Sequence, residues 1–246
     1  MSPFLPQPNP GKSLICEISG GAAVRYPLQS PVMKQGDPFV EIVSGLAAPV
    51  LNAAQQRHPE VQHWVIVCAE KALASTQGRA IPLESIHPRP LARMLSKFVT
   101  RTPHGIGLGI PETMELALQE VGPPRIMLAA AAAAITKPLG MKGVFYRVAG
   151  PMARSIDGPT PYTLPPLNKC VVLGPRDPNG VAAALAKAMG VGVAIIDAND
   201  LGQDILGAHG LSEDEQHMVR QSFRDNPLGQ GSERTPVAVV GWYVMN

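Results

Sequence analysis

Asp197 follows an apolar, β-branched run from Val191 to Ile196 and precedes Asn199 and Asp200. The run has the length and composition of a buried strand, which places Asp197 at the strand's carboxyl end. In open α/β sheets that end faces a crevice where ligands and metals collect. A carboxylate there is either a ligand or the solvated cap of the next turn. A second acidic residue, Asp157, lies in the segment Ser155-Ile156-Asp157-Gly158-Pro159. If the two carboxylates converge they suit a hard divalent cation, because Mg²⁺ or Mn²⁺ takes one or two carboxylates and keeps positions for water or phosphate oxygens. Asp-Gly and Gly-Pro equally favour an exposed turn, so both readings of Asp157 stay open.

The remaining motifs exclude more than they offer. Gly11-Lys12-Ser13 has the ending of a phosphate-binding loop, but the glycine required upstream falls on Pro6 and no strand precedes it. Gly105, Gly107 and Gly109 lead into a helix, and bare backbone N–H groups at a helix start attract anions. The dinucleotide fingerprint nevertheless fails, since its last glycine falls on Ile110, and a surface loop explains the run as well. His58, His63, His87, His104, His209 and His217 show no HxH or HExxH spacing, so no zinc site is expected. His209, between Gly207 and Gly210, is either a residue that a ligand can approach closely or an ordinary loop histidine. Neither a GxSxG elbow nor a Cys/His pairing points to nucleophilic catalysis. Cys16, Cys68 and Cys170 form no CxxC pair; Cys68 and Cys170 sit in apolar runs and read as small core residues with free thiols.

The elements that must position these residues can be read from periodicity. Two short strands flank Gly20-Gly21. Apolar residues at Phe39, Val40, Ile42, Val43, Leu46, Val50 and Leu51 predict a helix over 39–56, started by Pro38. His63 to Lys71 predicts a buried strand leading to a turn at Thr76-Gln77-Gly78-Arg79. Helices are expected over 90–99, 113–121, the alanine run 129–134, 181–189 (after a turn at Asp177-Pro178-Asn179-Gly180) and 213–223. Further strands are expected around Val144 to Ala149 and over Val237 to Val244, with a proline-rich loop from Tyr162 to Leu167. Helices and strands alternate without a strict βαβ rhythm, which predicts one mixed α/β domain over 13–246, in two lobes, behind a flexible arm over 1–12.

Bulk composition narrows the function classes. Lys and Arg number 21 against 19 Asp and Glu, and neither a basic run nor a basic helix face appears, so there is no electrostatic case for a nucleic-acid or membrane-surface partner. Apolar residues make up 45%, enough for a folded, well-cored protein of this length. The first ten residues contain four prolines and lack the basic start and apolar core of a signal peptide. The longest apolar stretch, Ile126 to Ile135, is too short to span a bilayer. Those features predict a cytoplasmic protein.

In order, the segments resemble the γ-glutamyl ligase family that adds glutamate to the deazaflavin coenzyme F420-0. Pro31-Val32-Met33-Lys34-Gln35-Gly36-Asp37 is similar to the family's Leu-Pro-Leu-Ile-Lys-x-Gly-Asp segment. Val65 to Arg79 resembles a family strand that ends in Ser-Thr-x-x-Ser-Lys and then Glu-Gly-Arg. Ile135 through Gly150 parallels the strand leading to Asn-Ala-Gly-Ile-Asp. Asp177-Pro178-Asn179-Gly180, its helix, and Ile195-Ile196-Asp197-Ala198-Asn199 resemble Asp-Pro-Asp-Gly, a helix, and a strand ending Asp-Thr-Asn-Gly-Arg. Thr235 to Gly241 is similar to the family's closing strand.

The resemblance implies an intertwined, homodimeric α+β fold. It also implies a small-molecule substrate, GTP with Mg²⁺ or Mn²⁺, activation of a substrate carboxylate as an acyl phosphate, and attack by the glutamate amine; metal ions suit such a reaction by neutralising phosphate charge. Carried over position by position, Asp197 matches a metal ligand, and Asp157 supplies a second one if an insertion is allowed. Pro31, Val32 and Met33 match the nucleotide-proximal segment, and Lys71 is the lysine nearest the phosphates. The chain departs from the pattern at Met152, Ala69, Glu70, Ala198 and Leu201, which stand where the family has an aspartate, a Ser-Thr pair, a threonine and an arginine. Two expectations follow: an amide-forming, nucleotide- and metal-dependent ligase, or a non-catalytic relative whose cleft binds another ligand or partner.

Overall fold

The structure, a computed structural model, describes residues 5–99, 106–141, 143–160, 165–199, 202–229 and 233–244. His104 and Gly105 of the glycine run, Tyr162, Asp200, Leu201 and Gly231 lie outside the described residues. From the amino end run β1 (Ile15–Ile18), β2 (Gly21–Leu28), α1 (Phe39–Arg57), β3 (His63–Ala69) and α2 (Glu70–Thr76). Then come β4 (Ala80–Pro82), α3 (Pro90–Leu95), α4 (Pro111–Val121), α5 (Pro123–Thr136), α6 (Val144–Ala149), α7 (Pro151–Arg154) and β5 (Cys170–Val172). The chain closes with α8 (Pro178–Met189), β6 (Gly192–Asn199), β7 (Gly202–His209), α9 (Glu213–Ser222) and β8 (Val237–Val244).

These elements form an α+β fold in two compact units. The first combines Met1–Gln77 with Pro175–Asn246; the second is Gly78–Gly174. The first unit is a mixed six-stranded sheet in the order β1-β2-β8-β3-β6-β7, with β3 and β6 parallel and the other neighbours antiparallel. Its central strands are buried on both faces, which is why β3, β6 and β8 read as nearly continuous apolar runs. Val43 and Leu51 of α1 and Leu185 of α8 share a core with Ile66, Ile195 and Val239 on one face. On the other, Val219 and Phe223 pack with Val65, Val67, Ala194 and Val240. The chain leaves this unit at Gln77 and re-enters beside it: the Gln77 side chain donates to the Arg176 carbonyl at 2.8 Å and accepts from the Arg176 N–H at 2.6 Å.

The second unit packs its helices around Leu108, Met114, Leu118, Ile126 and Ile156 beside the small β4–β5 pair. Leu108 is fully buried, and its N–H is 3.3 Å from the Tyr146 hydroxyl. The described part of the glycine run is therefore a packing segment and not an open anion loop.

Several sequence expectations change. Val144–Ala149 is a helix and not a strand, because its apolar residues Val144, Phe145, Val148 and Ala149 recur at helical spacing. Gly143 and Gly150, at φ 73° and 95°, bound it. Asp177 to Gly180 is a helix start and no separate turn: Asp177 caps α8 by accepting from the Gly180 N–H at 3.0 Å, with Pro178 in the first turn. His209, one of whose readings is an ordinary loop histidine, is the last residue of β7, with Gly207 two positions before it. Gly207 serves packing there, since a Cβ would lie 2.5 Å from the Pro178 backbone. Cys68 and Cys170 are buried, as expected, and burial pushes both thiols up, away from the reactive thiolate.

Candidate active site

Sheet register decides which segments meet in the first unit. Leu28, the last residue of β2, pairs with Val237 at the start of β8, and Val237 pairs with Cys68 near the end of β3. Ala69 pairs in parallel with Ile196 of β6. One edge of the sheet thus collects the chain after β2, before β8, after β3 and at the end of β6. Backbone bonds stitch that edge together, with Ala69 N–H donating to the Pro236 carbonyl and Ser30 N–H to the Arg234 carbonyl, each at 2.8 Å.

Pro31, Val32 and Met33 lie on this edge. Met33 is buried in the α1/α8-side core, so its side chain faces protein, while Pro31 is exposed and Val32 half-buried. The loop turns back at Lys34 to Asp37, where the Asp37 carboxylate accepts from the Lys34 N–H at 2.7 Å. Gly36, at φ 87°, donates to the Thr76 carbonyl at the far end of α2 at 2.9 Å. Lys71 occupies the first turn of α2 and is half-buried, next to the buried Glu70. This helix, absent from the sequence expectation of a plain turn, forms because Leu73 and Ala74 bury against the sheet.

Asp197 stands near the end of β6 and pairs in register with Asp204 of β7. Val193 and Ile195 belong to the α1/α8-side core and Ala194 and Ile196 to the α9-side core, so strand alternation puts Asp197 on the α1/α8 side. Residues directly opposite in an antiparallel pair share a face, and like charges in that relation repel. Two carboxylates at one sheet edge are hard oxygen donors of the kind a divalent cation takes. Asp204 was not singled out from sequence. The signal was there: Ile196-Asp197 and Asp204-Ile205 are mirror images about one hairpin, and the symmetry is hidden when no strand is assigned over 202–209.

Asp157 lies in the second unit. Its backbone forms a β-bridge with Val172, through bonds of 2.8 and 2.9 Å. Among the described residues, no group of three or more His, Cys, Asp and Glu is arranged to hold a metal. Three histidines have structural partners: His58 bonds the Tyr26 hydroxyl at 2.7 Å and sits 3.1 Å from Glu60, His63 stacks on Trp242, and His217 meets Gln221 at 2.7 Å. His209 is exposed at the end of β7.

Residues 27–200 match the F420-0:Gamma-glutamyl ligase family. The chain belongs to that family. No curated protein matches it. The family span runs from β2 through the Asp197 strand and includes the whole second unit, while Asp204 falls just beyond it. Within the γ-glutamyl ligase span, Met152 lies half-exposed at the start of α7, on helical chain where the resemblance implies a strand leading to the aspartate motif. Ala69 ends β3 and Glu70 opens α2, so the family's Ser-Thr position falls at a strand-to-helix junction on the same edge as Asp197.

Proposed function

We propose that this γ-glutamyl ligase relative forms an amide between a coenzyme F420-0-like carboxylate and L-glutamate or another amine, using GTP and a divalent metal. The carrying observation is the register of Asp197 opposite Asp204 on the sheet edge that also holds Pro31, Val32 and Lys71. Asp197 and Asp204 would hold Mg²⁺ or Mn²⁺, whose bound form neutralises phosphate charge and polarises a phosphoryl oxygen. Lys71 contributes a cation from the first turn of α2 toward nucleotide phosphates. Pro31 and Val32 offer the nucleotide an apolar, partly exposed surface held in place by Met33 beneath it. Asp157 belongs to the second unit, and the site described is that of the first alone.

A thermal-shift measurement tests this. GTP with Mn²⁺ at about 100 times the dissociation constant stabilises the native state by about 2.7 kcal/mol, which raises the midpoint of a chain this size by roughly 5 °C. Asp197→Asn and Asp204→Asn should each abolish the rise, and glutamate should then fail to stimulate phosphate release. The second reading, a non-catalytic relative that binds another ligand or partner, rests on Met152, Ala69 and Ala198 at motif positions. It predicts no shift with any nucleotide–metal pair in the wild-type chain.

A further inference from the structure

Arg234 occupies the left-handed backbone region, at φ 54°. Among the described residues, Asp177 and Asn226 share that conformation, but theirs are the short polar side chains that tolerate it and an arginine is not. Such strain persists where the surroundings over-determine the backbone, and it concentrates at active sites and ligand clamps. The backbone here is over-determined. The Arg234 carbonyl accepts from the Ser30 N–H at 2.8 Å, and the Pro236 carbonyl accepts from the Ala69 N–H at 2.8 Å. Between them, the hydroxyl of the buried Thr235 donates to the Leu228 carbonyl at 2.7 Å and accepts from the Asn9 amide at 2.8 Å. Residues 234–236 are thus gripped from the end of β2, the amino-terminal arm, the loop after α9 and the end of β3. None of those bonds uses the arginine side chain, which is exposed. Arg25, Arg79 and Arg89 are each committed to a carboxylate; among the described residues the Arg234 guanidinium has no such partner.

The place of Arg234 on the sheet edge gives that side chain a use. It lies beside Ser30, whose hydroxyl donates to the Pro31 carbonyl at 2.9 Å, and so flanks the segment of Pro31 and Val32. Asp197 and Asp204 stand farther along the same edge, on β6 and β7. Only β3 separates β8 from β6, a distance of about 10 Å at the usual strand spacing, and Lys71 follows β3 between them. We propose that Arg234 is a phosphate-binding residue of this site, its guanidinium meeting the polyphosphate of the nucleotide from the side opposite the two carboxylates. A guanidinium grips phosphate through two parallel N–H bonds and keeps its charge at every working pH. Held on a backbone that is already fixed, it needs no reorganisation as charge builds on phosphoryl oxygens. The family's arginine after the metal-binding strand is Leu201 in this chain, and Arg234 brings a guanidinium to the edge from β8 instead. The inference rests on the nucleotide-dependent ligase reading.

Calorimetric titration of the full chain with GTP and Mn²⁺, at several salt concentrations, tests it against Arg234→Gly and Arg234→Lys. Glycine takes the left-handed backbone without strain, so the unfolding midpoint of ligand-free Arg234→Gly should stay near that of wild type. Its GTP affinity should nevertheless fall at least about tenfold, the worth of a hydrogen bond to a charged group. Arg234→Lys should recover part of that loss, since it restores the charge without the fork. Wild-type affinity should also drop more steeply with salt than that of Arg234→Gly, because one ion pair fewer is left to screen. Undiminished GTP binding by Arg234→Gly overturns the assignment and leaves the ligase reading standing, and so does an equal salt dependence of the two proteins. Failure of the wild-type chain to bind GTP with Mn²⁺ overturns the ligase reading and the assignment together.

Discussion

The two units bury their arginines alike and treat their surfaces differently. In the first, Arg25 is fully buried, with its guanidinium bonded to the Asp225 carboxylate and to the Ser222 and Ser13 carbonyls. In the second, Arg79 is buried against the Glu120 carboxylate and the Gly174 carbonyl. Each ties together segments distant in sequence. In total, residues of the first unit carry ten Lys and Arg against fourteen Asp and Glu, a formal −4, while the second carries +6. Of the most exposed large apolar side chains among the described residues, Ile15 alone belongs to the first unit. A doubly covered sheet consumes its apolar residues in two cores. A bundle of short helices around one core leaves apolar residues over, and in this chain they stay exposed.

The sharpest way to break the parallel is to remove the arginines. Arg25→Ala and Arg79→Ala should each cost about 3 kcal/mol in denaturant unfolding, because buried acceptors and a carboxylate lose their donor. A much smaller loss at one position would show that its unit does not depend on the staple. Gly207→Ala should follow, at about 1–3 kcal/mol, as the added methyl pushes α8 off β7. Gly202→Ala, which meets nothing within 4 Å, is the control.

Acid should separate the units' carboxylates next. Partial burial pushes the Asp225 carboxyl up, but the hydrogen bonds and charge of Arg25 outweigh it and hold the group below its ordinary value. Glu115, opposed likewise by burial, is held low by Arg89. A depressed carboxylate contributes stability above its unfolded value, about 4, and loses it as pH falls through the folded one. Asp225→Asn and Glu115→Gln should each flatten the acid limb of a stability–pH curve. Asp204→Asn should have the smallest effect: without ligand its stability should stay within about 0.5 kcal/mol of wild type, on the stabilising side as repulsion with Asp197 is relieved.

The sequence was legible where packing and periodicity agree. The β-branched runs of β3, β6 and β8 are buried on both faces, so each marks its strand without ambiguity, and the family resemblance carried the fold as a whole. Val144–Ala149 was misread because Val144, Phe145 and Val148 have strand-like composition, whereas the helical spacing reflects the core they pack on. Asp204 was missed because its role depends on register across a hairpin, a property of pairing that no single segment displays. The charge difference between the units is invisible to a whole-chain sum, since the opposite charges cancel.

The double hold of Gln77 on Arg176 gives the second unit the character of a graft. Only two chain crossings join it to its host, and both ends are pinned side by side by one amide. Loops of other lengths could be spliced at that point while the sheet and its carboxylate edge kept their register. Divergence within the lineage can therefore concentrate in the inserted piece and leave the host scaffold unaltered.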